Sequence, residues 1–209
     1  MPGLDDGGEV RVLRAPRRTT VPSDGQPHRV AVSSFEGPAE LELVCTPELS
    51  PLVSLVARFD NLGQEPLLAG PVDLVRDSGF VGRAQLKYAG VKERVKLSFG
   101  SEDSLRVVRD RLDKPDESRL TGRRTTHCEV KLFVSNTGPK AEKVALEERI
   151  LVSEVKEVEV RLLPKETRPA PANVSKDGIV RFELSVPPHE QQKVELVYEI
   201  SAAGKVAGL

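Results

Sequence analysis

The sequence predicts an all-β protein, an antiparallel β-sandwich built in two immunoglobulin- or fibronectin-like parts. Three observations predict it. Apolar and polar residues alternate at period two along most of the chain, the pattern of a sheet with one solvated face. Proline and glycine turn signals recur at the spacing of short strands. No helix-period segments separate the strands, which argues against a parallel βαβ fold.

The elements follow in chain order. Residues 1–8 are rich in glycine and aspartate and are expected to be flexible. Glu9 to Arg18 is read as a first strand, with Val10 and Val12 on one face. Pro22, Asp24-Gly25 and Pro27 mark a turn, and Val30 and Val32 open a strand ending near Phe35. Leu41, Leu43 and Cys45 alternate with glutamates. Val53, Leu55, Ala57 and Phe59 line another strand, closed by Asp60-Asn61-Leu62-Gly63. A short strand carries Val72 and Leu74 between the turn signals Gly70-Pro71 and Asp77-Ser78-Gly79.

Phe80 to Phe99 alternates most clearly and is read as a β-hairpin reversing at Ala89-Gly90. Leu105 and Val107 begin the next strand. The very polar DRLDKPDESRLTGRR over 110–124 suggests a connection between parts. Cys128 to Val134 alternates well. Residues 141–152 suit a helix or a strand, and their β-like flanks favour strand. Val158, Val160 and Leu162 alternate with charged residues. Val180, Phe182, Leu184 and Val186 share one face, and Val194, Leu196, Tyr198 and Ile200 share another. The predicted organisation is a first sandwich part over 9–112, a charged connection over 113–124, a second, Ig-like part over 125–201, and a flexible tail over 202–209.

Composition narrows the function classes. Lysine plus arginine number 31 against 32 aspartates and glutamates, so the whole-chain field offers no case for nucleic acid or an anionic membrane. Aromatics are 4 %, with no tryptophan, which disfavours extended stacking platforms. No apolar run reaches membrane-spanning length. MPGLDDGGEV lacks the basic and apolar regions of a secretory signal, which points to the cytoplasm. A periplasmic or cell-envelope setting is the alternative if this start lies inside a longer protein. Cys45 and Cys128 sit on apolar faces and read as buried thiols, not as a disulfide scaffold.

VPSDGQPHRV, Asp60-Asn61, PLLAGPVDLVRDSGFVG and LSFGSEDSLRVVR occur in this order, followed by VSNTG, EERILVSEVKEVEV, DGIVRFELSVPP and VELVYEI. In that order and spacing they resemble the C-terminal domain of the mucoidy-inhibitor family, a bacterial domain of unknown function, over roughly Arg17 to Ser201. The resemblance implies two all-β, sandwich-like parts and supplies no catalytic residues. Members commonly carry an N-terminal β-domain and a coiled coil before this region, so the chain is expected to be a short member or an excised domain. Arg181 departs from the pattern, standing where an aromatic is common.

The search for chemistry ends without a catalytic, cofactor or metal site. His28, His127 and His189 lack ligand spacing. His127 and Cys128 are adjacent on a strand and must face opposite ways. Ser23, Asp24 and His28 gather in one loop, where Asp24-Gly25 is ordinary turn chemistry. Gly79 to Gly82 precedes no helix, so it makes no phosphate cradle. Asn173-Val174-Ser175 is a glycosylation sequon with meaning only on a secreted chain. One candidate surface stands out: the basic row Arg83, Lys87, Lys92, Arg94 and Lys96, a docking face for an anionic partner or a plain solvated face.

The expected function is therefore non-enzymatic: protein–protein contact through strand edges, without cofactor, nucleic acid or membrane span. A glycan-binding module using Tyr88 or Tyr198 is the alternative, and an unrecognised hydrolase the third reading.

Overall fold

A computed structural model describes residues 15–117 and 123–202. Among these the protein is all β, with no helix. The strands are β1 (Glu40–Cys45), β2 (Ser54–Asp60), β3 (Gly70–Arg76), β4 (Gly79–Leu86), β5 (Arg94–Ser101) and β6 (Leu105–Glu117). They continue with β7 (Arg124–Asn136), β8 (Glu142–Arg149), β9 (Val158–Leu162), β10 (Asn173–Val174), β11 (Ile179–Val186) and β12 (Gln191–Ala202). A six-stranded sheet runs β10-β11-β8-β1-β2-β5, and a four-stranded sheet runs β6-β7-β12-β9. β3 and β4 form a separate two-stranded ribbon.

The two large sheets pack face to face. Val144, Leu146, Val180, Phe182 and Val186 from one sheet meet Val107, Val130, Leu132, Val134, Val194, Leu196 and Tyr198 from the other in one buried cluster. The period-two pattern places these side chains: along β11 and β12, alternate residues are buried. Residues 142–149 form strand β8, paired in parallel with β1 and antiparallel with β11.

Four sequence expectations need correction. Phe80 to Phe99 is not a hairpin. β4 pairs with β3, and β5 pairs with β2. The reversal lies earlier, at Asp77 and Ser78, both with positive φ (49° and 65°). Two residues of that kind make the primed turn whose twist matches antiparallel strands. Ala89 instead bridges Leu67, and the segment around it carries the chain from the ribbon to the large sheet. Alternation fixes which residues share a face, not which strand lies alongside.

The segment around Val30 and Val32 is irregular. Among the described residues no strand pairs with it, and both valines stand 37 % exposed. Phe35 nevertheless anchors it, 6.4 Å from the Phe59 ring.

The expected break at 113–124 falls within a long antiparallel pairing of β6 with β7. Residues 118–122 lie outside the described residues. The polarity of 110–117 is that of an edge strand. β1 and β8, from the two expected parts, share one sheet, and Leu105 and Val107 belong to the main core.

At the end of the chain, Ala202 belongs to β12 and is buried, not part of a tail, since it pairs with both Val158 and Arg124. Of the proposed first strand, residues 9–14 lie outside the described residues, as do 1–8 and 203–209, while 15–18 are irregular.

One glycine is required by both conformation and space. Gly178 has φ +79°, and a Cβ there would sit 2.4 Å from the Ile150 carbonyl oxygen. Its own carbonyl accepts a hydrogen bond from Ile150 N–H. Gly178→Ala is expected to cost at least about 2 kcal/mol, since the left-handed backbone alone costs roughly 1–2. Gly100→Ala, with φ +86° but open space, should show only the backbone cost. Urea unfolding of the two variants separates the contributions.

Candidate functional site

The outer face of the six-stranded sheet carries a ladder of opposite charges. Register puts Glu40 and Glu42 of β1 on one face with Arg58 of β2, Arg94 and Lys96 of β5, Glu147 of β8, and Arg181 and Glu183 of β11. Arg58 donates to Glu42 at 2.5 Å, and Arg181 donates to Glu147 at 2.6 Å. Arg181 also donates to Glu42, and Arg94 to Glu40. Burial alone would raise the Glu42 carboxyl, but Arg58 and Arg181 hold it below its ordinary value. Arg181 thus adds a side-chain link from β11 to β8 and β1 across this face. An open groove of about 930 Å³ beside β1 is lined by Glu42, Arg58, Arg76, Glu102, Lys143 and Glu183. Its charges are of both signs, so it selects neither an anion nor a cation.

The predicted basic row does not lie on one hairpin. Arg83 lies on the ribbon and donates to Asp73 at 2.8 Å, and Asp73 also accepts from Arg29. Lys87 and Lys92 lie in the connection after β4, with Lys92 at φ 65°. Arg94 and Lys96 lie on β5, and Arg94 is taken up by Glu40 and Asp60. The row depended on β4 and β5 being neighbours in one hairpin, and each pairs with another strand.

The core holds a buried ion pair that sequence reading missed. Glu148, on the inward face of β8, is 0 % exposed. Its Oε1 accepts from Arg109 Nε at 2.9 Å and Nη2 at 2.6 Å. The hydrogen bond to Glu148 raises the Arg109 pKa. Glu148 Oε2 is buried without a partner. Further along β6, Arg111 donates to Asp113 at 2.9 Å, which lowers the carboxyl. Asp113, Cys128 and Tyr198 stand side by side on three adjacent strands. Burial pushes the Cys45 thiol and the Tyr198 phenol each up to about 12, and raises the Cys128 thiol too. No thiolate nucleophile is therefore ready at neutral pH. The alternation around Glu148, LEERI, carried the signal, since the glutamate falls in phase with Val144 and Leu146.

His28 Nε2 lies 2.9 Å from Asp24 Oδ1, inside the loop turn. His127 faces Glu166 and Glu199, away from Cys128 in the core. His189 forms a turn at φ 59°. Gly82, at φ 151°, sits where the ribbon register shifts. Asn173-Val174 forms the short edge strand β10. Among the described residues, no three of His, Cys, Asp and Glu gather as metal ligands. Tyr198 is 1 % exposed and cannot offer a glycan its ring, which leaves Tyr88 at 45 %.

Two asparagines organise the loops in matching ways. Asn61 follows β2, and its Oδ1 accepts from Gly63 N–H at 3.1 Å. Its Nδ2 donates to the carbonyls of Glu65, Ala89 and Gly90. Asn136 ends β7, and its Oδ1 accepts from Gly138 N–H at 2.9 Å. Its Nδ2 donates to the carbonyls of Lys140 and Val186. The two backbone N–H groups donate to Glu93 and Glu190, each just before the next paired strand. A Cβ at Gly63 or Gly138 would crowd the asparagine oxygen. The two halves thus repeat one Asn-x-Gly lock. Asn61-Leu62-Gly63 closes a strand in sequence, and its match to the Asn136-Thr137-Gly138 of VSNTG was the signal available.

The ribbon projects apolar surface. Val75 and Phe80 pair across it at 56 % and 65 % exposure, and Val81 beside them is also exposed. No helix among the described residues is long and apolar enough to cross a membrane. The family model described as Domain of unknown function (DUF4139) matches residues 6–204. The chain belongs to that family. The DUF4139 match covers the sandwich, the ribbon and both asparagine locks, so all of these lie within one family domain. No curated protein and no solved structure matches the chain.

Proposed function

We propose that this DUF4139 domain works by binding another protein, without catalysis of its own. The observation that carries the reading is the β3–β4 ribbon, which belongs to neither sandwich sheet and exposes the cross-strand pair Val75 and Phe80 near its turn. A two-stranded ribbon is marginal by itself, so apolar residues at its tip gain from a partner that covers them. Burying a phenylalanine is worth about 1.5–3 kcal/mol, and aromatic anchors dominate protein interfaces. The partner surface is apolar, with room for the Arg83–Asp73 pair at its rim.

The narrower kinship with the mucoidy-inhibitor C-terminal domain is part of the same proposal and rests on the ordered segments quoted above. Two free buried thiols support a reducing compartment, the cytoplasm.

A photo-crosslinking residue at position 80 in the intact cell protein is expected to trap one specific protein. Phe80→Asp should abolish that interaction while leaving the unfolding midpoint nearly unchanged, because the ring is solvated already. A Phe80→Asp variant that keeps every specific partner would refute the ribbon as the docking element.

A further inference from the structure

The four-stranded sheet ends at β6, a thirteen-residue strand with no described strand on its outer side. Its phase is fixed by Thr137 N–H donating to the Ser104 carbonyl. Even-numbered residues of β6 therefore turn their backbone groups to β7, and odd-numbered residues turn theirs outward. Pro115 falls on an outward position, where its missing N–H costs the β6–β7 ladder nothing. On the outer face Val108 and Leu112 are 60 % and 48 % exposed, on either side of Asp110.

A long edge with exposed apolar residues is a template for another strand, and charges are the usual defence. Here the charges run Arg109, Asp110, Arg111, Leu112, Asp113, Lys114. About Leu112 that order is self-complementary. A second β6, antiparallel and related by a two-fold axis at Leu112, sets Arg111 opposite Asp113 and Asp110 opposite Lys114, each twice. Leu112 meets its own copy. The Arg111–Asp113 pairs then fall on outward-facing backbone positions and exchange both main-chain bonds, while Arg109 opposite Pro115 keeps only the bond that its own N–H donates to the proline carbonyl. The Asp110–Lys114 and Leu112 pairs fall on the closer, non-bonded positions, where side chains meet most directly. Neighbouring registers do worse. An axis at Asp110 sets Val108 opposite Leu112, but it also opposes Asp110 to itself, Arg109 to Arg111 and Arg106 to Lys114. An axis at Arg111 opposes Arg111 to itself.

We propose that β6 pairs with β6 of a second copy of this chain, joining two four-stranded sheets into one continuous sheet across a two-fold axis at Leu112. The interface is isologous, as two-fold dimers require, and it leaves the β3–β4 ribbon of each copy open. The inference is independent of the ribbon reading, since it uses a different surface and a different partner. One edge buries little area, so the dimer is a weak one that dissociates in the micromolar range.

Sedimentation of the full chain from low to high micromolar concentration is expected to show a monomer–dimer equilibrium. Asp110→Lys and Lys114→Asp should each shift it to monomer, by repulsion across the axis. An equimolar mixture of the two single variants, and the double variant Asp110→Lys/Lys114→Asp, should each restore dimer. Recovery in the mixture shows that the single variants are folded. As a register check, Leu112→Cys should form a disulfide-linked dimer under mild oxidation, and Val108→Cys should not. A parent chain that stays monomeric throughout, a dimer indifferent to both single charge reversals, or equal crosslinking at 108 and 112 would each overturn the proposal.

Discussion

Arg109→Ala is expected to destabilise the sandwich by about 3–5 kcal/mol, the cost of leaving a buried charge without its partner. The loss comes from Glu148, not from the missing arginine contacts. Glu148 is fully buried between the sheets, and both of its hydrogen bonds come from Arg109. Its other oxygen already lacks a partner. With alanine at 109, the carboxylate must ionise in an apolar core, take up a proton, or draw water between β6 and β8. Removing both charges avoids that choice. Arg109→Met with Glu148→Leu should return stability to the parent level or above it, as buried pairs replaced by apolar residues of similar volume often do. Urea unfolding midpoints of the single and double variants test this. A single variant within about 1 kcal/mol of the parent would mean that the pair is open to solvent and screened.

The parts of the fold legible in sequence are those fixed by period-two burial. Phe182, Leu184 and Val186, or Leu196, Tyr198 and Ile200, face inward because a strand with one wet face permits nothing else. Strand neighbours were legible only where a turn decides them. Asp77-Ser78-Gly79 carries that information for β3–β4, and reading Ala89-Gly90 as the stronger turn moved the hairpin one strand along. The error propagated to the candidate site, because the basic row was drawn on β4 and β5 as paired arms of one hairpin. Long-range pairings, such as β1 in parallel with β8, leave no local trace. Charge density was also ambiguous: over 110–117 it marks a sheet edge, where chain connection was the simpler reading. Glu148 was hidden for a related reason. A glutamate in an alternating run reads as part of the wet face unless its phase is checked against the valine and leucine two and four residues before it.

Asn136→Ala is expected to cost about 3 kcal/mol, from stranding buried main-chain groups at about 1–3 kcal/mol each. The side chain is 2 % exposed and serves three segments at once. Its oxygen takes the Gly138 N–H, and its amide satisfies the carbonyls of Lys140 and Val186. Alanine removes all three bonds and admits no water to replace them. Asn136→Asp keeps the Gly138 bond but sets a carboxylate against two carbonyl oxygens, so it should be no better tolerated. Asn61→Ala removes the equivalent lock in the first half, with a different expected outcome. Asn61 ties the segment after β2 to the one before β5, beside the Leu67–Ala89 bridge, and its bonds lie outside the main core cluster. That loop pair should open without unfolding the sandwich. Hydrogen exchange distinguishes the cases. In Asn61→Ala, the amides of Leu67, Ala89 and Lys92 should lose protection while those of β7 and β12 keep it. In Asn136→Ala, protection should fall together across β7, β8, β11 and β12, because the lock joins the strands that build the core. Uniform loss of protection in both variants would show that the two halves unfold as one unit.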